Sequence, residues 1–325
     1  MSLYEPPRSV LGSILLVPGL HFLGPDDPRI VRFATILAHA GILVGCPFLP
    51  DFLALRVVPS VVADVERVFE AFCAQVGPGA MPGVMSISFG SFPALRLASS
   101  PAYAERVGGL LLFGGYADFR RVMQFALRGE PGEPHDPVNR PAVFVNLLDG
   151  MPFVAARDPE RRARVVERWM RFVRAAWGRP ELKEERIVHQ MARELGADLD
   201  DEERELFLLG CGASPGGLEH CLKALDALSD IATDLDPGPY LSGLRCPVVV
   251  VHGRDDDVIP VDQAERLVEA MPPGVNVKVF LTGLYGHTSR TTHPDQGVAP
   301  LREVWNMLRI LSAIGRISSP WRPAA

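Results

Sequence analysis

The 325-residue sequence predicts an α/β protein whose doubly wound, mostly parallel sheet is interrupted by one long helical insertion. Three observations carry that prediction. Short, nearly all-apolar runs alternate with amphipathic segments through residues 13–115, the pattern of right-handed strand–helix–strand crossovers. The alternation then stops, and residues 118–240 read as helix after helix. Strand text returns at Cys246, so the chain re-enters the sheet it left.

The first strand is SILLV, Ser13 to Val17, nearly all apolar, as burial on both faces demands, and ended by Pro18-Gly19. A helix follows, with Asp27 as its cap and Pro28 at the first helical position. Ile30, Phe33, Ala34 and Leu37 line one face, and Gly41 is the stop. ILVGCP from Ile42 is the second strand. The helix after it sets Val61, Val65, Val68, Phe69 and Phe72 on a single face. GVMSIS from Gly83 is the third strand, a third helix starts after Gly90, and VGGLLLFGG from Val107 is the fourth strand.

Within the insertion the short run PAVFV at Pro141 is the exception to helical text. Val165, Val166, Trp169, Met170, Val173 and Trp177 recur at helical spacing, and three further helical segments follow. CPVVVVHG from Cys246 and VNVKVFL from Val275 then supply two more strands, and a helix from about Val298 to Ile317 closes the chain. Six strands are expected, or seven. Residues 1–117 and 241–325 form the expected core, and 118–240 a small inserted domain.

Composition narrows the function classes. A net charge of −6 without a basic patch points away from nucleic acid. Five cysteines with no CxxC spacing read as reduced thiols, neither a disulfide framework nor a zinc site. The N-terminus MSLYEPPRSV lacks a basic leader, and no stretch approaches the ~20 apolar residues of a membrane span. A soluble, cytoplasmic protein is expected. Neither GxGxxG nor GxxxxGK[ST] occurs, so no nucleotide cofactor is expected, and a small-molecule partner is.

The chemistry gathers at strand ends. SISFG places Ser88 at the centre of a small-x-Ser-x-Gly pentapeptide between a strand and a helix. A serine at so sharp a turn is held in strained geometry, and Ser86 and Gly90 keep its flanks small. The turn aims the next helix's N-terminus at the hydroxyl. A serine nucleophile needs a base, and the base an orienting acid. RDDDVIP after one late strand and TGLYGHTSR after the next lie at the same sheet edge, where open α/β sheets bind ligands. Asp255, Asp256 or Asp257 can supply the acid and His287 the base, in the order Ser…Asp…His.

With these residues in place the sequence resembles the α/β-hydrolase superfamily, of the capped serine hydrolase type. The resemblance covers most of the sheet domain. The family's HG-x-x-D-x-x-(V/I)-P matches HGRDDDVIP, which makes Asp256 the triad acid; Asp255 and Asp257 are then a polar turn. The family's lid follows the sixth strand, which is where 118–240 falls. The resemblance implies an oxyanion hole from the backbone N–H groups of Phe89 and, in VPGLHF, Leu20. Two departures stand out: Pro18-Gly19-Leu20 replaces the family's His-Gly-x, and the first β-hairpin is missing or reduced.

The implied activity is hydrolysis of a carboxylic ester, or a thioester, through an acyl-enzyme. An acyltransferase would use the same triad, and a non-catalytic binder could keep the fold. His21 adjoins the oxyanion loop and is read as loop packing or a substrate contact. His252 invites a metal but finds no second ligand at convincing spacing, so no metal is expected. His39 and the Trp and Phe stripes of the insertion are read as packing.

Overall fold

The computed structural model describes residues 1–129, 136–179, 182, 184–283 and 299–318. Among these residues seven strands form one sheet: β1 (Ser2–Tyr4), β2 (Gly12–Val17), β3 (Ile42–Cys46), β4 (Gly83–Ile87), β5 (Gly109–Phe113), β6 (Val248–Gly253) and β7 (Val277–Thr282). Their order across the sheet is β1-β3-β2-β4-β5-β6-β7. Only β1 runs antiparallel, pairing Leu3 with Gly45; the other six are parallel. The six parallel strands are those the apolar runs mark. The seventh is three residues near the N-terminus, too short to leave an apolar pattern.

Helices cover both faces. On one lie α1 (Pro28–His39) and, after the last strand, the C-terminal helix; on the other lie α3 (Val61–Val76) and α4 (Ser91–Ser99), with a four-residue helix α2 (Pro50–Leu53) before them. Strand alternation divides the core accordingly. Leu15 and Val17 join the cluster on the α3–α4 side, while Ile14 and Leu16 join the cluster on the α1 side. Asp27 caps α1 as expected, its carboxylate accepting the Arg29 N–H at 2.8 Å.

Between β5 and β6 the chain builds α5 (Phe119–Arg128), α6 (Arg140–Leu147), α7 (Val154–Arg157), α8 (Pro159–Ala176), α9 (Glu185–Leu195), α10 (Asp201–Gly210), α11 (Gly217–Ala227) and α12 (Ser229–Asp234). The strand-like PAVFV run lies inside α6. Pro141 occupies the first turn, where its missing N–H costs nothing, and Ala142, Val143, Phe144 and Val145 are buried all round. Complete burial removes the one-sided periodicity that marks a helix in sequence. Trp169 sits at the insertion's centre, fully buried, its indole N–H donating to Phe207 O at 3.0 Å. The insertion's apolar residues merge with the sheet's α3–α4 side into one cluster. The chain finishes with α13 (Asp262–Ala270) between β6 and β7, and α14 (Ala299–Ser318). Among the described residues no helix is long and apolar enough to cross a membrane.

Candidate active site

Ser88 stands one residue beyond β4, at the turn into α4. Its φ is +54°, and Leu55 is the only other described non-glycine residue with positive φ. Left-handed backbone at a serine costs about 1–3 kcal/mol and persists where the surroundings enforce it. Here the loop after β2 does so. A Cβ on Gly19 would lie 2.9 Å from the Ser88 Cβ and 3.0 Å from Ile87 O, so that loop rests directly on the turn. A Cβ on Gly90 would meet Pro18 O at 2.6 Å and Val17 O at 2.8 Å. Gly90 must therefore be small because of the neighbouring loop's carbonyls.

The three serines around the bend have separate surroundings. Ser88 is almost wholly buried. Ser91 accepts the Tyr116 N–H through Oγ at 3.3 Å and leaves no room for a Cβ on Gly115. Ser86 is fully buried, and its Oγ finds no hydrogen-bond partner among the described residues. The Phe89 ring packs beside Tyr116 (5.4 Å between centroids) and Phe119 (6.5 Å), which fixes the backbone just after Ser88. Leu20, next after Gly19, is partly buried against the main apolar cluster.

Asp256 follows β6, two strands over from β4, at the same carboxyl edge of the sheet. It is buried, and its Oδ1 accepts the N–H groups of Val258 (3.0 Å) and Ile259 (2.9 Å). These two bonds stabilise the charged form and fix its rotamer. Asp255 is exposed; Asp257 is buried and accepts the Asp136 N–H through its backbone carbonyl at 3.2 Å. His252, fully buried, has Nε2 3.0 Å from Ile259 O and 3.7 Å from Asp256 Oδ2, so it braces the same turn. Among the described residues no group of three His, Cys, Asp or Glu side chains could hold a metal. His287 lies outside the described residues.

No family model matches the chain. Over 211 residues it is 26% identical to a 2-hydroxy-6-oxononadienedioate/2-hydroxy-6-oxononatrienedioate hydrolase of Paraburkholderia phymatum, covering 64% of this chain and 57% of that one. Over 79 residues it is 33% identical to such a hydrolase of Dechloromonas aromatica, covering 24% of this chain and 26% of the other. The chain thus spans little more than half the length of the curated relatives it matches. The uncomplexed acylaminoacyl peptidase of Pyrococcus horikoshii superposes at a TM-score of 0.50 with 13% identity, covering 99% of this chain and 40% of that one. The chain has the α/β-hydrolase fold.

In this fold the insertion touches the edge where Ser88 sits. Trp177, at the end of α8, faces His21 (5.6 Å between centroids) and Phe22 (6.3 Å), and His21 stacks on Phe22 at 4.5 Å. The Trp177 indole donates to Val138 O at 3.2 Å. His21 Nδ1 accepts the Leu23 N–H at 3.2 Å and lies 3.4 Å from Asp27 Oδ2. Burial pushes its pKa below the usual value, against the pull of Asp27, which favours the neutral ring. His21 thus lies between its own loop and the insertion.

The insertion's entry and exit are pinned together, which no local sequence pattern signals. Tyr116 donates its hydroxyl to Leu235 O at 3.0 Å, and Asp236 accepts the Phe119 N–H at 2.7 Å. From α13 the buried Gln263 accepts the N–H groups of Ala117 and Asp118 at 3.1 and 3.0 Å. Beside this junction a cleft of about 240 Å³ is lined by Asp118, Arg120, Ser229, Ala232, Thr233 and Asp236.

Proposed function

We propose that the chain is a serine hydrolase that cleaves a carboxylic ester or thioester through Ser88, His287 and Asp256. The Ser88 hydroxyl attacks the carbonyl carbon while His287 takes its proton. Asp256 orients the imidazole and stabilises its charged form, and the N–H groups of Leu20 and Phe89 receive the oxyanion. His287 then returns the proton to the departing alcohol or thiol. Water, deprotonated by His287, releases the acid and restores Ser88. Residues 118–240 act as a lid that covers the site and excludes bulk water.

What supports this reading above all is the left-handed Ser88, clamped between Gly19 and Gly90 at the mouth of a helix. Strain of that kind serves no purpose in an ordinary connector. Asp256, held by two backbone N–H groups, suits the acid's part better than the exposed Asp255.

The curated relatives favour a second reading. They are named for hydrolysing a 2-hydroxy-6-oxo dienedioate, which carries a ketone and no ester. The same constellation could act on such a ketone, with the bond beside the carbonyl breaking and the carbon leaving group stabilised as a dienolate. A panel of short- and long-chain p-nitrophenyl esters beside a 2-hydroxy-6-oxo dienedioate separates the two. Ester turnover that disappears in Ser88→Ala is expected. Turnover of the dienedioate with none of any ester supports the second reading, and product transfer to added alcohol with little free acid marks an acyltransferase.

A further inference from the structure

At Trp177 the insertion takes hold of the loop after β2. The residue ends α8, its backbone N–H donating to Val173 O at 2.9 Å. Its ring closes a triangle with His21 and Phe22, 5.6 and 6.3 Å from these two rings, which lie 4.5 Å from each other. From the same side chain the indole N–H donates to Val138 O at 3.2 Å. Val138 is buried in the short turn of helix Pro137–Asn139, and that turn is anchored in its own right, because the Asp136 N–H donates to Asp257 O at 3.2 Å. A tie therefore runs from the turn of Asp256 and Asp257, through residues 136–138 and Trp177, to His21. Strands β4 and β5 lie between β6 and β2 in the sheet, so the tie joins the strand ends on either side of the Ser88 turn.

His21 is the pivot of its loop. Its Nδ1 accepts the Leu23 N–H at 3.2 Å and its carbonyl accepts the Gly24 N–H at 2.9 Å, so ring direction and turn shape are set together. Leu20 is one peptide earlier. We propose that Trp177 is a positioning residue: by fixing the His21 and Phe22 rings it aims the Leu20 N–H at the oxyanion that forms on the carbonyl held by Ser88. The proposal rests on the serine-hydrolase reading above, in which Leu20 supplies one of the two oxyanion donors. The insertion then does more than cover the site, because one of its side chains completes the catalytic geometry. An oxyanion donor acts only where it is already aimed, and a misplacement of about 1 Å is costly. An indole suits this task, since its broad rigid face meets both loop rings while its N–H fixes its own orientation. The rival role for Trp177, a wall of the substrate pocket, would act on substrate binding instead.

The test is steady-state kinetics of wild type, Trp177→Leu, Trp177→Phe and Phe22→Leu, with whichever p-nitrophenyl ester or 2-hydroxy-6-oxo dienedioate the wild type turns over. Hydrogen exchange of the peptide covering residues 20–24 is read beside it by mass spectrometry. Trp177→Leu keeps apolar bulk but offers no ring. It should lower kcat by about 10–100-fold with KM within about 3-fold of wild type, and speed exchange at Leu23 and Gly24 by about 10-fold or more. Trp177→Phe presents a ring to His21 and Phe22 again, and should return kcat and exchange to within about 5-fold of wild type. Phe22→Leu removes a ring from the loop's side and leaves the insertion intact, so the same loss in kcat is expected even if Trp177→Leu fails to fold. A raised KM with unchanged kcat makes Trp177 a pocket wall and overturns the proposal. Equal losses in Trp177→Leu and Trp177→Phe, or unchanged kcat in Phe22→Leu, also overturn it. A wild type that turns over neither substrate class and takes no fluorophosphonate at Ser88 overturns the serine-hydrolase reading, and this role for Leu20 with it. That result is distinct from an active wild type whose kcat ignores the rings.

Discussion

Gly19 and Ser88 touch: a Cβ on Gly19 would sit 2.9 Å from that of Ser88. The loop after β2 and the turn after β4 are therefore one unit, and the backbone that supplies the Leu20 N–H is positioned by the residue proposed to attack. Gly19→Ala must push the two apart by a few tenths of an ångström. Misplacement on that scale is expected to lower kcat by roughly 10–100-fold with KM nearly unchanged, at a stability cost of about 1–3 kcal/mol. Steady-state kinetics with a thermal melt check both. Unchanged kcat would separate the loop from catalysis.

Ser86 and Ser88 should respond in opposite ways. The Ser86 hydroxyl is buried with no partner among the described residues, so Ser86→Ala removes an unsatisfied polar group. The expected result is full activity and a gain of about 1 kcal/mol, a rise of about 2 °C in Tm for a chain of this length. A large loss of activity would show that the wrong serine has been assigned.

Among the three neighbouring aspartates, Asp256→Asn should reduce kcat by about 10³–10⁴-fold while preserving the turn, because the amide oxygen can still accept the Val258 and Ile259 N–H groups. Asp255→Asn, at an exposed position, should stay within about 3-fold of wild type. Equal losses at Asp255, Asp256 and Asp257 would contradict the assignment.

Asp236 gives the insertion's junction a pH dependence. Burial, with Asp118 nearby and against the Phe119 N–H, raises its pKa to about 6 from 3.8. A raised carboxyl pKa means that the folded state binds the proton more tightly than the unfolded chain. Its contribution to stability is thus fully present below about pH 4 and lost as pH rises through about 6. Asp236→Asn keeps an acceptor for Phe119 N–H and removes that loss. At pH 7 it should stabilise by about 1–2 kcal/mol, discounted for partial exposure, and the gain should vanish by pH 4. Denaturant melts between pH 4 and 7 measure this; parallel curves for the two proteins would contradict it.

The inner strands were legible because parallel strands buried on both faces leave nearly unbroken apolar runs, as at Ser13–Val17; β7, at the sheet edge with Lys278 and Val279 exposed, shows instead as the alternating VNVKVFL. What stayed hidden was structure fixed by distant partners. Strand β1 is three residues paired with β3, and α6 is buried on every side; neither writes a period into the sequence. At the site, SISFG marks Ser88 because turn geometry restricts residue type locally, whereas HGRDDDVIP by itself offers three aspartates and singles out Asp256 only through its resemblance to the family pattern. The constraint on Gly90 was not legible in full, since it comes from the carbonyls of Val17 and Pro18, some seventy residues earlier in the chain. The Trp177–His21 contact and the Tyr116, Asp236 and Gln263 junction depend wholly on tertiary placement, and no spacing announces them.

The central claim is that Ser88 is a nucleophile, and the most direct measurement is the mass of the protein after reaction with a fluorophosphonate. The account predicts one phosphonyl group per chain, mapped by peptide sequencing to Ser88 and absent from Ser88→Ala, with Ser86→Ala labelled as wild type. An unlabelled wild type, or a label carried by any other residue, would contradict it.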